Sequence, residues 1–118
     1  MNEKHTEFLI ETFQPLYEYC KYFECGDGWF ELIKDLSDKL NQLILIDECS
    51  CRASQVKEKY GTLRYYMDTE TDAMSELIRL AEKQSHTICE ICGEAGKLRE
   101  GRWISTLCDK CATKLEKK

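Results

Sequence analysis

Between Trp29 and Leu43 the apolar positions recur at alternating steps of four and three: Trp29, Ile33, Leu36, Leu40 and Leu43. That spacing puts them on one stripe of an α-helix, with Glu31, Lys34, Asp35, Asp38 and Lys39 on the opposite face. The stripe predicts a helix packed inside its own domain rather than one reserved for a partner helix. Upstream, the aromatic-rich residues 6–24 (TEFLIETFQPLYEYCKYFE) predict helix. Pro15 would start a second turn or kink the first, because it lacks an N–H and crowds the turn before it. Cys25-Gly26-Asp27-Gly28 reads as a loop, and Asp27 as the N-cap of the helix that follows.

The period changes over residues 52–67 (RASQVKEKYGTLRYYM). Val56 and Tyr60 alternate with lysines, and Leu63, Tyr65 and Met67 alternate with Arg64 and Tyr66, with Tyr60-Gly61-Thr62 as a turn between. The pattern predicts a β-hairpin or two short strands with one buried face. Helix resumes from about Thr71 to Gln84, with Met74, Leu77, Ile78 and Ala81 on its apolar side and Asp72 near its start. It runs almost directly into Cys89. These elements give an α+β fold: a helical and hairpin region over 1–86, and a C-terminal module over 87–118 docked on it.

That module carries the clearest chemistry. Cys89-x2-Cys92, fifteen intervening residues and Cys108-x2-Cys111 fall inside the spacing of four-cysteine zinc sites. Two thiolates separated by two residues can share one ion from a tight turn, and two such turns complete a tetrahedron. Gly93 follows the first turn, where a positive φ is often needed. Lys97-Leu98-Arg99 and Arg102-Trp103-Ile104 flank Glu100-Gly101 as a predicted hairpin, and Leu107 and Ile91 are placed beneath the ion. The final ATKLEKK reads as a short helical tail. Four protein ligands leave no open position, so the expected Zn²⁺ is one structural ion. The alternatives are a redox CxxC pair, which usually sits beside a βαβ unit that the pattern does not show, and a rubredoxin-type iron site, which shares the spacing. His86, three residues before Cys89, is an alternative ligand, although a helix-end histidine is the simpler reading. Cys20, Cys25, Cys49 and Cys51 have spacings that match no common metal turn. They read as free thiols, with a second site as the alternative.

Composition adds a polarity. The 118-residue chain has net charge −5, but residues 1–50 carry four Lys/Arg against eleven Asp/Glu, a balance of −7, while residues 51–118 carry thirteen against eleven, or +2. An acidic first half repels phosphate and suits a basic partner, with Glu11, Glu18 and Asp35 as the candidate face. Two basic-aromatic groups lie in the second half: Lys57, Lys59, Tyr60, Arg64 and Tyr66 on the hairpin, and Lys97, Arg99, Arg102 and Trp103 in the ribbon. Cations with aromatic neighbours can hold phosphates and stack unpaired bases. No run approaches the roughly 20 apolar residues that span a bilayer, and no secretory pattern is visible, so a cytoplasmic address is expected.

Three stretches carry a resemblance: Glu24-Cys25-Gly26-Asp27-Gly28-Trp29-Phe30, Gln55 to Tyr65 (QVKEKYGTLRY) and the terminal ribbon. Together they resemble a family of small uncharacterised proteins of bacteria, phages and mobile elements, over residues 24–111. The resemblance carries over no catalytic residues. It implies accessory or host-interaction roles, including inhibition of bacterial defence systems such as CRISPR.

No Gly-rich phosphate loop or Ser/His/Asp arrangement is present, and only His5 and His86 supply imidazoles. Cys25 invites a nucleophile reading, but its neighbours Glu24 and Asp27 oppose a thiolate. The expected function is therefore non-enzymatic: a zinc-binding interaction protein that acts on a host protein or ribonucleoprotein. A nucleic-acid-binding ribbon is the alternative, and an enzyme using Cys25 is the remaining one.

Overall fold

The computed structural model describes residues 1–116 and has an α+β architecture. Helix α1 spans Glu3–Thr12, strand β1 Phe23–Glu24, helix α2 Phe30–Asp47, strands β2 and β3 Ala53–Lys59 and Thr62–Met67, and helix α3 Asp72–Gln84. Strands β4 (Lys97–Arg99) and β5 (Ser105–Leu107) and helix α4 (Asp109–Glu116) follow. No helix among the described residues is long and apolar enough to cross a membrane.

The predicted stripe is the inner face of α2. Trp29, Ile33, Leu36 and Leu40 are buried, Leu43 is half-buried, and Glu31, Asp35, Asp38 and Lys39 are exposed. Asp27 does not cap this helix. A 3₁₀ turn at Asp27–Trp29 precedes it, and the Asp27 carboxylate instead accepts from Asn2 N at 2.7 Å and pairs with His5 Nδ1 at 3.0 Å. Asp27 thus ties down the start of α1, where Asn2 is the cap.

The helix predicted over 6–24 ends at Thr12. Beyond it the chain turns through a cis Gln14–Pro15 peptide and feeds Phe13, Leu16, Tyr17 and Cys20 into the core without a helix. Asn41, buried on α2, fixes this segment. Its Oδ1 accepts from Leu16 N and its Nδ2 donates to Gln14 O, both at 3.1 Å. These bonds satisfy backbone groups that have no ladder of their own. Below it, Tyr65 donates to the Tyr17 hydroxyl at 2.9 Å, and Ser37 lies against Tyr17 and donates to Ile33 O. The two tyrosine pKa values are raised, chiefly by burial.

The hairpin forms as the alternation requires. Strands β2 and β3 pair antiparallel, with Val56 opposite Tyr65 and Lys57 opposite Arg64. Tyr60 (φ 53°) and Gly61 (φ 81°) both occupy the left-handed region that a two-residue hairpin turn needs. Val56, Leu63 and Tyr65 face the core formed with Ile33, Leu36 and Leu40 of α2 and Met74, Ile78 and Ala81 of α3. Strand β1 adds in parallel beside β2, with Phe23 opposite Val56, so β1–α2–β2 is a βαβ unit that the hydrophobic pattern did not reveal. The other side of β3 is covered by α3: Leu63 N donates to Ser85 Oγ and Tyr65 N to Glu82 Oε2, both at 2.9 Å.

Candidate metal centre

The first cysteine pair sits in a turn closed by backbone bonds. Gly93 N donates to Cys89 O at 2.9 Å, Cys89 N to Glu94 O at 2.8 Å, and Gly93 takes the expected positive φ of 84°. The second pair opens α4, where Ala112 N donates to Cys108 O at 3.0 Å and Cys111 N points at Cys108 Sγ at 3.4 Å. A bond from Glu90 N to Thr106 O, at 3.0 Å, holds the two turns side by side.

This brings all four sulfur atoms within 4.8 Å of one another. Cys92 and Cys108 are 3.6 Å apart, well beyond the roughly 2.05 Å of a disulfide. Four thiolates about 2.3 Å from one zinc ion would be about 3.8 Å apart, so the spacing suits a shared cation. Cys89 and Cys111 are buried, Cys108 is half-buried and Cys92 is exposed.

Their acidities point the same way. Burial acts against the Cys89 thiolate, but backbone N–H groups of Cys108, Cys92 and Ile91 outweigh it and bring the thiol down to about 6. Burial and contacts with Cys108, Cys89 and Cys92 push Cys111 up to about 12. At Cys92 the Glu94 N–H and Cys111 favour the thiolate, yet burial, Cys108 and Cys89 prevail and raise its pKa. Mutual repulsion among clustered thiolates is the kind of imbalance that a bound cation removes. The four cysteines can hold a metal ion.

The surrounding predictions divide. Leu107 packs on the buried cysteines, whereas Ile91 is exposed and lies outside that cluster. The second ribbon strand is Ser105–Leu107 rather than Arg102–Ile104, because Thr106 must meet Glu90 N and Gly61 O. His86 is exposed in a 3₁₀ turn and is not among the clustered donors. Among the described residues no second group of metal donors forms from Cys20, Cys25, Cys49 and Cys51. Cys25 is buried, and burial pushes its thiol up to about 12 against the lowering effect of the Met1 ammonium.

The Cys25–Trp29 loop is the seat of the first cysteine turn. Gly28 N donates to Glu90 O at 2.7 Å, Gly26 N to Glu90 Oε2 at 2.9 Å, and Trp29 Nε1 to Ile88 O at 2.9 Å. A Cβ on Gly28 would lie 2.0 Å from Cys89 O, and one on Gly26 2.3 Å from Glu90 O. At the hairpin turn, Thr106 donates to Gly61 O at 2.6 Å. The Glu24–Phe30 stretch, the hairpin turn and the ribbon therefore meet along one seam. Gly26 and Gly28, which read only as loop residues in the sequence, are small because the ribbon backbone lies against them.

Of the residues singled out by charge, Lys57, Lys59, Arg64 and Tyr66 lie on β2 and β3, and Tyr60 is in the turn. Tyr60 shares a cleft of about 470 Å³ with Arg102 and Trp103, so the two basic-aromatic groups adjoin. Lys97 is exposed. Arg99 is committed to the ribbon itself, donating to Leu107 O and pairing with Asp109 at 2.7 Å. Glu11 and Asp35 are exposed, and Glu18 is exposed but pairs with Arg52 at 3.4 Å. Comparison of the chain with protein-family models, curated proteins and solved structures gave no match.

Proposed function

We propose that the ion is zinc and that the protein is a non-catalytic interaction module. The carrying observation is a donor set made wholly of four clustered cysteines. Thiolates suit zinc, and four protein ligands leave no position for a water or substrate. The ion then organises residues 87–118 and holds them on residues 1–86. Elemental analysis of purified protein should give one zinc per chain. A red, iron-containing preparation would replace zinc with the rubredoxin-type alternative.

The partner in this reading is a protein with a basic surface of the kind that handles nucleic acid. The −7 balance of residues 1–50 and the exposure of Glu11 and Asp35 support it. Attraction between such surfaces speeds encounter and weakens with salt. With the family resemblance, this favours an accessory factor of a phage or mobile element acting on a host protein or ribonucleoprotein in the cytoplasm, a CRISPR-type defence complex being one example. Capture from host lysate should fall with salt and fall further for the Glu11→Lys, Asp35→Lys double variant. Unchanged capture by that variant removes the acidic-face mechanism.

A further inference from the structure

We propose that the open face of the β1–β2–β3 sheet, continued across the hairpin turn onto the ribbon, binds an unpaired nucleic-acid strand. The proposal goes beyond the protein partner above and uses a different surface. Lys57, Lys59 and Arg64 are neighbours by strand register: Lys57 is opposite Arg64, and Lys59 is opposite Thr62. Side chains alternate along a strand, so these residues and Tyr66 lie on the face opposite buried Val56, Leu63 and Tyr65. Tyr66 is 42% exposed there. From Tyr66 to Thr62 the strand covers about 13 Å at its usual rise.

The track does not stop at the turn. Lys59 Nζ lies 5.7 Å from the centre of the Tyr60 ring, and Tyr60 shares the next cleft with Arg102 and Trp103. Tyr60 is 67% exposed and Trp103 80% exposed, with no core to fill. Glu58, opposite Leu63, lies on the other face, so the cleft opens beyond the hairpin tip and a strand reaches it by passing round Tyr60: first Tyr66 and three cations, then two more rings with a fourth cation.

Charge decides the occupant. Among the described residues, none of Lys57, Lys59, Arg64 and Arg102 is within 4.0 Å of a carboxylate. The acids nearby are Glu24, next to Lys57 across β1 and β2, and Glu58 and Glu90 in the cleft. Glu58 already accepts from Gly61 N, and Glu90 from Gly26 N. Their charge disfavours phosphate inside the cleft. A base stacks there between Tyr60 and Trp103, while phosphates lie over Lys57, Lys59 and Arg64. A duplex hides its ring faces in its own stack, so only an unpaired strand satisfies both halves of the track.

The test uses the full chain purified with its metal and a labelled single strand of about twelve nucleotides, as RNA and as DNA. The strand should bind at about 50 mM salt, weaken steeply by about 200 mM, and outcompete a duplex of the same length. Trp29 is buried and Trp103 exposed, so binding should quench a tryptophan signal that Trp103→Phe removes. Trp103→Ala and Tyr66→Ala should each weaken binding about tenfold, and the Lys57→Glu, Arg64→Glu pair by more than that while flattening the salt dependence. Tyr66 and Trp103 are exposed and Lys57 and Arg64 half-buried on the outer face of the sheet, so unchanged circular dichroism checks the fold of the first region and retained metal stoichiometry that of the ribbon. The acidic-face variant Glu11→Lys, Asp35→Lys should bind the strand as well as the parent or better. No binding at about 100 μM protein in low salt overturns the proposal. Equal affinity for duplex, or variants that bind like the parent, overturns it too, as does a protein ligand that occupies these residues without nucleic acid.

Discussion

The two ends of the chain are stabilised by different physics. In residues 1–88 a continuous core joins Trp29, Ile33 and Leu40 of the α2 region, Val56, Leu63 and Tyr65 of the hairpin, and Met74 and Ile78 of α3. In the ribbon, among the described residues, Cys89, Leu107 and Cys111 form the buried cluster, and two of those three belong to the candidate metal centre. Apolar burial is extensive in the first region. The second has almost none, so its fold should depend on the ion. Metal binding and folding are one event in modules of this kind.

The largest effect should come from removing the ion. Structural zinc contributes on the order of 10–16 kcal/mol of apparent binding energy in small peptides. A strong chelator, or Cys108→Ser, should abolish the amide NMR dispersion of residues beyond Cys89 while the helical circular dichroism of the first region persists. Loss of both signals together would show that the two regions are a single cooperative unit. Next in size is Trp29→Ala, which empties a fully buried site and removes the bond to Ile88 O. Denaturant unfolding should show a loss of about 3–5 kcal/mol.

Gly28→Ala tests the seam itself. Its methyl would meet backbone rather than a side chain that can move, at a cost of about 1–3 kcal/mol. Metal affinity measured by chelator competition should fall in parallel. An unchanged affinity would mean that the two regions do not communicate. Within the first region, Thr71→Ala removes the cap that accepts from Met74 N at 3.3 Å, and thermal unfolding should show about 1 kcal/mol lost. The smallest effect concerns acid. Burial works against ionised Asp27, but the Asn2 N–H and His5 prevail and hold its carboxyl below the ordinary value. Its stabilisation is present above the usual carboxylate range and is lost as pH falls through the lowered value. Asp27→Asn should flatten that part of the pH–stability curve, with little change elsewhere.

Elements governed by local period were legible in the chain. The α2 stripe, the hairpin with its turn at Tyr60-Gly61, and α3 followed from spacing, and the paired CxxC pattern placed four sulfurs together. What escaped depends on partners far away in sequence. Residues 13–20 look helical, yet Asn41 supplies bonds that let them leave the helix. Strand β1 has two residues, too few to show alternation, and exists because β2 is beside it. Asp27 reads as a cap for the nearest helix start, whereas its hydrogen-bond partners come from the beginning of α1. The second ribbon strand is displaced because Thr106 has two distant appointments, Glu90 and Gly61.

The side chains of Ser85 and Glu82 occupy the amides along the free border of β3. An extended peptide therefore finds no vacant N–H donors at Leu63 or Tyr65, and sheet extension from that side would first have to displace α3. Recognition by strand addition is closed off there, and with it one route to runaway self-association.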